Sequence, residues 1–302
     1  MSYQFEPDNS LQKNLKQIAA EQIDLACKKL HDPPGGDENT GVHEARKCFK
    51  RLRGLVRMAR PNLGKKGYRQ QNARFRDAGR ALSTVRDAQA LIESYEMLEQ
   101  TYGSQVTFAR MTALQHKLVA RRDRMVNSAD ISKGSIDVVV DELDNAASGG
   151  IERGSAAGVT ADQLTAGVQR VYRRARKGWK RAQSKHDPVK LHDWRKRAKY
   201  LRYHFQLLKG VDKKWASQWH KGFKRLSDLL GDHHDLDVLR QYLDSFDTGV
   251  MKPVAECEFR ILLREKQDVL YREVLRLGRD LLHKKTKKVA GAIRRRLVKV
   301  NA

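Results

Sequence analysis

The amino-acid sequence predicts an all-α fold made of two homologous helical bundles related by an internal pseudo-twofold axis. The first observation is composition, since the 302 residues include only 6 prolines and the residue types that favour helices are abundant. The second is that apolar residues recur with the helical period along most of the chain. The third is that a basic motif of the first half recurs in the second half, which indicates a duplicated unit.

The helical period predicts ten helices, five on either side of a flexible stretch. That stretch is NAASGGIERGSAAGVT, residues 145–160, where small residues replace the charged amphipathic pattern. It divides the chain into a first half (1–148), a linker (149–160) and a second half with a basic C-terminal extension (161–302). The predicted helices lie near residues 10–31, 42–60, 65–83, 86–102, 104–128, 161–184, 189–209, 212–230, 234–246 and 253–283.

Net charge is the strongest indication of function. The chain carries 61 Lys and Arg against 36 Asp and Glu, a formal net charge of +25. A charge of this size is usually balanced by a polyanion or an anionic surface, so we expect an anionic partner. Cys27, Cys48 and Cys257 have neither disulfide nor metal-ligand spacing, and no secretion signal or membrane-spanning apolar run is visible. We therefore expect a cytoplasmic protein that does not insert into membranes.

The duplicated motif reads HEARKCFKRLR at residues 43–53 and HDWRKRAKYLR at residues 192–202. Each copy begins with a histidine, and the basic residues of the two copies coincide at a constant offset. Further along, the segment LSTVRDAQAL corresponds to LGDHHDLDVL, and we expect each of these segments to join two helices. The basic pairs are His43 with His192, Arg46 with Arg195, Lys47 with Lys196, Lys50 with Lys199, and Arg53 with Arg202.

The basic residues of each motif form a row on one face of a helix. At about 100° per residue, His43, Arg46, Lys50, Arg53 and Arg57 lie within an arc of roughly 80°, beside the apolar face. Like charges at this spacing cost a few tenths of a kcal/mol per pair unless an anion neutralises them. A row about 15 Å long suits the phosphates of an extended chain. Similar rows are predicted for His192, Arg195, Lys199 and Arg202, for Arg170, Arg173, Lys177 and Lys180, and for Arg69, Arg76 and Arg80.

The doubled motif, together with the segments VRDAQAL and LGDHHDLDVL, resembles the CHAD domain, a conserved histidine α-helical domain that binds inorganic polyphosphate. The resemblance covers residues 10 to 285 and implies two four-helix bundles around a basic groove or channel. The polyphosphate ligands that it implies are His43, Arg46, Lys50, Arg53, Arg57, Arg76, His192, Arg195, Lys199, Arg202 and Lys224. A secondary basic face is assigned to Lys47, Arg69, Arg80, Arg170, Arg173, Lys177 and Lys196.

Two alternative functions compete with polyphosphate binding. The first is nucleic acid, which offers the same phosphate chemistry. A base reader needs exposed aromatic residues, but here the aromatic residues fall on apolar faces and we expect them in the core, so we expect only weak nonspecific binding. The DHHD sequence at residues 232–235 is compatible with an HD-type metal-dependent phosphohydrolase, but the remaining ligands of such a site cannot be assembled. We therefore predict a binding protein and not an enzyme, without cofactor or metal, associated with polyphosphate granules. We also expect His43 and His192 to charge near pH 6.5 and thereby tighten binding.

Overall fold

A computed structural model of the chain describes residues 3–82, 84–128, 158–184, 186–245 and 250–300. Within these ranges the chain is all-α, as predicted, with ten α-helices and no strand. The predicted linker, residues 149–160, lies outside the described residues except for positions 158–160. The helices are α1 (Leu11–His31), α2 (Glu38–Met58), α3 (Arg60–Ala81), α4 (Thr84–Tyr102), α5 (Thr112–Ser128), α6 (Ala161–Ser184), α7 (Pro188–Leu207), α8 (Lys213–Asp244), α9 (Pro253–Leu282) and α10 (Thr286–Leu297).

Several helices begin at side chains that accept hydrogen bonds from the first turn. Ser10 accepts from the Lys13 amide at the start of α1, at 3.1 Å. Asp187 accepts from the Lys190 amide at 3.2 Å, and Pro188 then opens α7 with a backbone angle that suits a first turn. These caps are readable in the sequence, which explains why the predicted starts of α1 and α7 lie close to the observed ones.

Helix α8 departs from the prediction, which had placed two helices at residues 212–230 and 234–246. The structure has one continuous helix, so the prediction that LGDHHDLDVL joins two helices is wrong. The segment lacks proline, and Gly231 is not among the glycines with positive φ, so nothing in the local sequence ends the helix. Leu236 and Leu239, fully buried beyond this point, continue the apolar face.

The buried apolar residues form two clusters, and each cluster takes residues from both halves of the sequence. The first joins α1, α2 and α3 to α6, α7, the first part of α8, the end of α9 and α10. The second joins α4 and α5 to the second part of α8 and the first part of α9. The long helices α8 and α9 therefore pass through both clusters. The all-α class is confirmed, whereas this arrangement does not confirm a pseudo-twofold relation between two bundles.

The crossing of α2 and α7 places the two basic motifs beside each other. Gly54 of α2 faces Tyr203 of α7 so closely that a Cβ on Gly54 would lie 3.0 Å from the Tyr203 Cβ. The fully buried His204 donates from Nε2 to the Gly54 carbonyl oxygen at 2.9 Å. Burial lowers the pKa of His204 to about 4, so the ring is neutral at pH 7. A glycine and a neutral histidine thus fix the distance between the motif helices.

The basic C-terminal extension folds as α10 and packs on the first cluster. Ile293 and Leu297 are fully buried there. On the outer side the Arg296 guanidinium carbon lies 3.9 Å from the centre of the Trp215 ring, and its Nε donates to Asp212 at 2.8 Å. Part of the positive charge of the extension therefore holds α10 in place.

Candidate functional site

A dense group of cations surrounds an open groove of about 540 Å³ between α2, α3 and α7, here called the main groove. Its walls carry eight Lys and Arg residues and one histidine, and no Asp or Glu of the described residues lines it. Asn72, Gly79, Tyr200 and the buried rings of Phe49 and Phe75 complete the surface. The cationic lining consists of Arg46, Lys50, Arg53, Arg57, Arg76, Arg80, Lys196 and Arg197, with His192 beside them.

Two arginines of α2 in the groove donate to backbone carbonyl oxygens. Arg46 Nη1 donates to the Leu82 carbonyl oxygen at 2.9 Å, where α3 ends. Arg57 Nη1 donates to the Arg53 carbonyl oxygen at 2.8 Å. Each of these two contacts orients a guanidinium group through a neutral oxygen atom, which does not itself cancel the positive charge.

Arg76 and Arg80 of α3 differ from the α2 residues because they share a carboxylate. Arg76 forms a two-point ion pair with Asp77 at 2.7 and 2.8 Å, and Arg80 lies 3.8 Å from the same carboxylate. These hydrogen bonds and charges lower the pKa of Asp77. Because Asp77 is exposed, the pair is weak, and an incoming anion can compete for both arginines.

Arg57 lies at one end of the main groove against aromatic rings. Its guanidinium carbon is 3.8 Å from the centre of the Tyr200 ring and 5.9 Å from the centre of the Tyr68 ring. Burial lowers the pKa of Arg57 relative to a free arginine, although the group remains protonated at neutral pH. Stacking on Tyr200 compensates part of the cost of burying this charge.

His192 reaches the main groove from α7, but its protonation differs from the prediction. Its ring packs on His234 at 4.2 Å between centroids. Burial, followed by the nearby His234, Lys196 and Arg195, lowers the pKa of His192 to about 4. The prediction that His192 charges near pH 6.5 is therefore wrong, because the surroundings oppose the charged form. Its buried Nδ1 has no hydrogen-bond partner within the described part of the chain.

Four predicted ligands lie where α7 meets α8, away from the main groove: three on α7 and Lys224 on α8. Arg195 Nη1 is 3.9 Å from Asp235, and Arg202 Nη1 is 3.5 Å from Asp228. Burial, with repulsion from Arg195 and Arg202, lowers the pKa of Lys199 to about 8. This surface, called the second basic row, carries its own carboxylates and is less positive than the main groove. Its cations are Arg195, Lys199, Arg202 and Lys224.

Other predicted residues are divided between cavity walls and the remaining surface. His43 is half-buried on α2 and does not line the main groove. Lys47 pairs with Glu44 at 2.5 Å, while Arg69 and Arg173 are exposed outside the cavity walls. Of the secondary face, Arg80 and Lys196 line the main groove, whereas Arg170 and Lys177 line the smaller cavities described next.

Two smaller cavities continue from the main groove toward α6. The bridging cavity, about 20 Å³, is lined by Arg57, Arg60, Tyr68, Arg170, Val171, Arg174, Arg197 and Tyr200. The side cavity, about 110 Å³, is lined by Arg174, Lys177, Gly178, Arg181, Lys190, Asp193, Trp194 and Arg197. Arg197 borders all three cavities, which makes them neighbours along one basic path.

Sequence reasoning missed several of the cations on this path. On α6, Arg174 and Arg181 line the cavities together with the predicted Arg170 and Lys177, whereas the predicted Arg173 and Lys180 do not. Both sets have spacings of three and four residues, so only packing distinguishes them. Arg197 was missed because it corresponds to Cys48 in the duplicated motif, so the repeat gave it no weight. The other lining residues without a prior assignment are Arg60, Asn72, Lys190 and Tyr200.

The DHHD residues lie within α8 and have separate contacts. His233 is buried and its Nε2 lies 2.8 Å from Nε2 of His186, whereas His234 packs on His192. Burial and the neighbouring Asp235 and Asp228 raise the pKa of Asp232 to about 6. Across the described ranges, no group of three or more His, Cys, Asp and Glu could hold a metal ion. In the same part of the chain, no helix is long and apolar enough to cross a membrane.

The fold and the groove define an all-helical protein with a concentrated cationic surface. The chain belongs to the CHAD domain family, whose profile matches residues 10–244. It is also similar to two uncharacterized proteins of Mycobacterium tuberculosis, MT2285 of strain CDC 1551 / Oshkosh and Rv2226 of strain ATCC 25618 / H37Rv. Each is 28% identical over 221 residues, which is 68% of this chain and 40% of the relative. The chain thus spans less than half the length of these relatives.

Proposed function

We propose that this protein binds inorganic polyphosphate, with the main groove as the principal site. The observation that carries the proposal is the lining of that groove, which contains eight Lys and Arg residues and no Asp or Glu of the described residues. Membership of the CHAD domain family supports the same ligand. We propose a binding protein and not an enzyme, since the residues of the groove supply charge and hydrogen-bond donors for an anion.

The physical mechanism is multivalent charge neutralisation. From Arg46 to Arg57 the α2 row spans twelve residues, or about 16 Å along the helix axis. Guanidinium groups at this spacing contact successive phosphates of one chain, and each contact releases condensed counterions into solution. A single phosphate ion or ATP engages fewer cations, so long chains bind more tightly.

The two motif helices contribute unequally in this proposal. The duplicated motif supports a pseudo-twofold relation between α2–α3 and α7–α8. However, Asp228 of α8 occupies the position that corresponds to Arg80 of α3. Asp228 lies 3.0 Å from Lys224 and 3.5 Å from Arg202, so these cations already have an internal counterion. The second basic row therefore extends the binding surface but adds less affinity than the main groove.

Nucleic acid is the competing ligand because its backbone has the same charge chemistry. Proteins that bind single strands usually stack exposed aromatic rings on the bases. Here Phe49, Trp194, Phe205 and Phe223 are all at most 2% exposed, which agrees with the predicted core role of the aromatic residues. The main groove thus offers phosphate contacts without a stacking platform, which favours polyphosphate and leaves only weak nonspecific nucleic acid binding.

A competition titration near physiological salt tests the proposal. Labelled long-chain polyphosphate is displaced by unlabelled polyphosphate, single-stranded DNA, duplex DNA or ATP. The groove variant combines Lys50→Ala, Arg53→Ala and Arg76→Ala, and a matched control removes three exposed lysines by Lys285→Ala, Lys287→Ala and Lys288→Ala. Circular dichroism and thermal melts establish that the variants are folded.

We expect polyphosphate to compete at least about a hundredfold better than DNA at equal phosphate concentration, and the groove variant to lose that advantage. The lysine control should stay within about threefold of wild type, because its charges lie outside the groove. Equal competition by DNA, or equal binding by the groove variant and the control, would refute the proposal.

The catalytic and cellular parts of the proposal need their own measurements. Incubation with polyphosphate and divalent cations should leave chain length and free phosphate unchanged, and release of phosphate by the wild type but not by the groove variant would indicate an enzyme. We also propose a cytoplasmic location at polyphosphate granules. A fluorescent fusion should concentrate at granules, and the groove variant should not.

A further inference from the structure

The side cavity between α6 and α7 has the same chemistry as the main groove, although the sequence predicted only one of its cations, Lys177, as part of the secondary basic face. Its lining contains Arg174, Lys177, Arg181, Lys190 and Arg197, against a single carboxylate, that of Asp193. Asp193 is partly engaged elsewhere, because Lys196 lies 3.4 Å from it. The cavity is therefore a positive site in its own right.

The positive charge of the side cavity is not balanced internally. In the part of the chain that the structure describes, Arg174, Lys177, Arg181 and Arg197 form no ion pair within 4.0 Å. Partial burial, and then repulsion from Arg197, lowers the pKa of Arg174. Mutual repulsion of this kind favours an anion between the groups.

Trp194 forms part of the wall of the side cavity. Its side chain lines the side cavity and is 1% exposed. The indole Nε1–H is buried without a hydrogen-bond acceptor among the described residues. Because this N–H lies below the surface, it belongs to the packing behind the cavity wall, and the cations alone define the site.

The bridging cavity shares Arg174 and Arg197 with the side cavity, and it shares Arg57, Arg197 and Tyr200 with the main groove. At about 20 Å³ it holds little more than one water molecule. It is narrow because Arg57 stacks on Tyr200 at 3.8 Å and Arg60 stacks on Tyr68 at 4.4 Å. A phosphate chain can pass only if these two arginines move aside, and the other cations that line the passage do not need to move for this.

We infer that the side cavity is a second phosphate subsite, occupied by the continuation of the polyphosphate chain bound in the main groove. Arg197, which borders all three cavities, lies at the junction. The inference rests on the proposed function, because it extends the same ligand along the same path. It implies that affinity depends on chain length, since a chain that fills only the main groove gains nothing from α6.

The test compares tripolyphosphate, a short probe, with long-chain polyphosphate. The side-cavity variant combines Arg174→Ala, Lys177→Ala and Arg181→Ala, all exposed positions on α6. The groove variant and the lysine control described above are measured in parallel. The single variant Arg181→Glu places one negative charge at the far end of the cavity and guards against misfolding of the triple variant.

We expect the side-cavity variant to bind long-chain polyphosphate roughly tenfold more weakly than the wild type. The slope of log K against log salt concentration should fall in magnitude by about 2, because three phosphate contacts are lost. Tripolyphosphate affinity should stay within about twofold of wild type. Arg181→Glu should weaken only the long chain.

Long-chain binding at wild-type affinity and slope in the side-cavity variant would overturn the inference while leaving the main-groove proposal standing. An equal loss for tripolyphosphate and the long chain would overturn it too, because the cavity would then act as an independent site. Failure of the wild type to prefer polyphosphate at all refutes the proposed function itself.

Discussion

Acidification should destabilise this protein through His204, the buried histidine at the crossing of α2 and α7. The ring donates to the Gly54 carbonyl oxygen and is fully buried, with Arg57 as a nearby positive charge. Its pKa is lowered to about 4, whereas an unfolded histidine titrates near 6.5. The folded state thus binds a proton less readily than the unfolded state, and stability is lost as the pH falls below about 6.5.

The size of the effect follows from the two pKa values. At pH 7.5 neither state is appreciably protonated at His204, so the linkage contribution is close to zero. At pH 5 the unfolded state is almost fully protonated and the folded state is about one tenth protonated, which costs roughly 2 kcal/mol of the free energy of unfolding. Below pH 4 the loss levels off at about 3 kcal/mol.

The variant His204→Gln isolates this contribution, because glutamine can donate to the Gly54 carbonyl oxygen but does not titrate. Urea denaturation at pH 7.5, 6.5, 5.5 and 5.0 gives the free energy of unfolding of both proteins. At pH 7.5 the variant should have a lower free energy of unfolding than the wild type, because glutamine packs imperfectly in this position. At pH 5 the wild type has lost roughly 2 kcal/mol that the variant keeps, so the difference between the two proteins should shrink or change sign. The other histidines titrate in both proteins and cancel in the difference. A gap that is independent of pH would show that His204 is not the group responsible.

Three further predictions concern ligand affinity and packing. Asp228→Asn removes an internal counterion of Lys224 and Arg202 and should raise polyphosphate affinity roughly twofold. The control Asp280→Asn makes an equal charge change on α9 and should have a smaller effect on the affinity. Equal gains in the two variants would mean that only net charge matters. Between pH 8 and pH 6 the polyphosphate affinity of His192→Ala should change as much as that of the wild type, because the pKa of His192 is about 4. A smaller change with pH in the variant would contradict that value. Gly167→Ala should lower the free energy of unfolding, measured by urea titration, by about 2 kcal/mol or more, since the new Cβ would meet the Met58 carbonyl oxygen. The control Gly67→Ala on α3 has room for a Cβ and should be neutral or stabilising.

The helices and their apolar faces were predictable because they depend on local spacing. Phe49, Trp194 and Phe205 follow the helical period and lie in the core as expected. The continuity of α8 was not predictable from the repeat, because LSTVRDAQAL and LGDHHDLDVL align although only the second continues as one helix. A glycine such as Gly231 can end a helix or lie within one, and the local sequence does not decide between the two. In the structure Gly231 lies against α7, where an added Cβ would be 3.2 Å from the Arg195 side chain, and this contact comes from a helix distant in sequence.

The candidate site could be predicted from the sequence only where it depends on local helical spacing. Periodicity identified Arg46, Lys50 and Arg53 as one row, and the structure places them in one groove. The repeat assigned Arg195 and Lys199 the equivalent role, but these residues face the carboxylates of α8. Whether a basic row remains positive depends on which helix packs beside it, and that information lies in the tertiary structure.

The passage of α8 and α9 through both hydrophobic clusters has a consequence for dissecting the molecule. A fragment that ends before α6 would keep α4 and α5 but lose the helices that cover Leu98, Leu114 and Leu118, all buried in the intact chain. Such a fragment should self-associate or precipitate, because it exposes a contiguous apolar surface. The two copies of the duplicated motif are therefore mutual folding partners, and neither is a portable binding module.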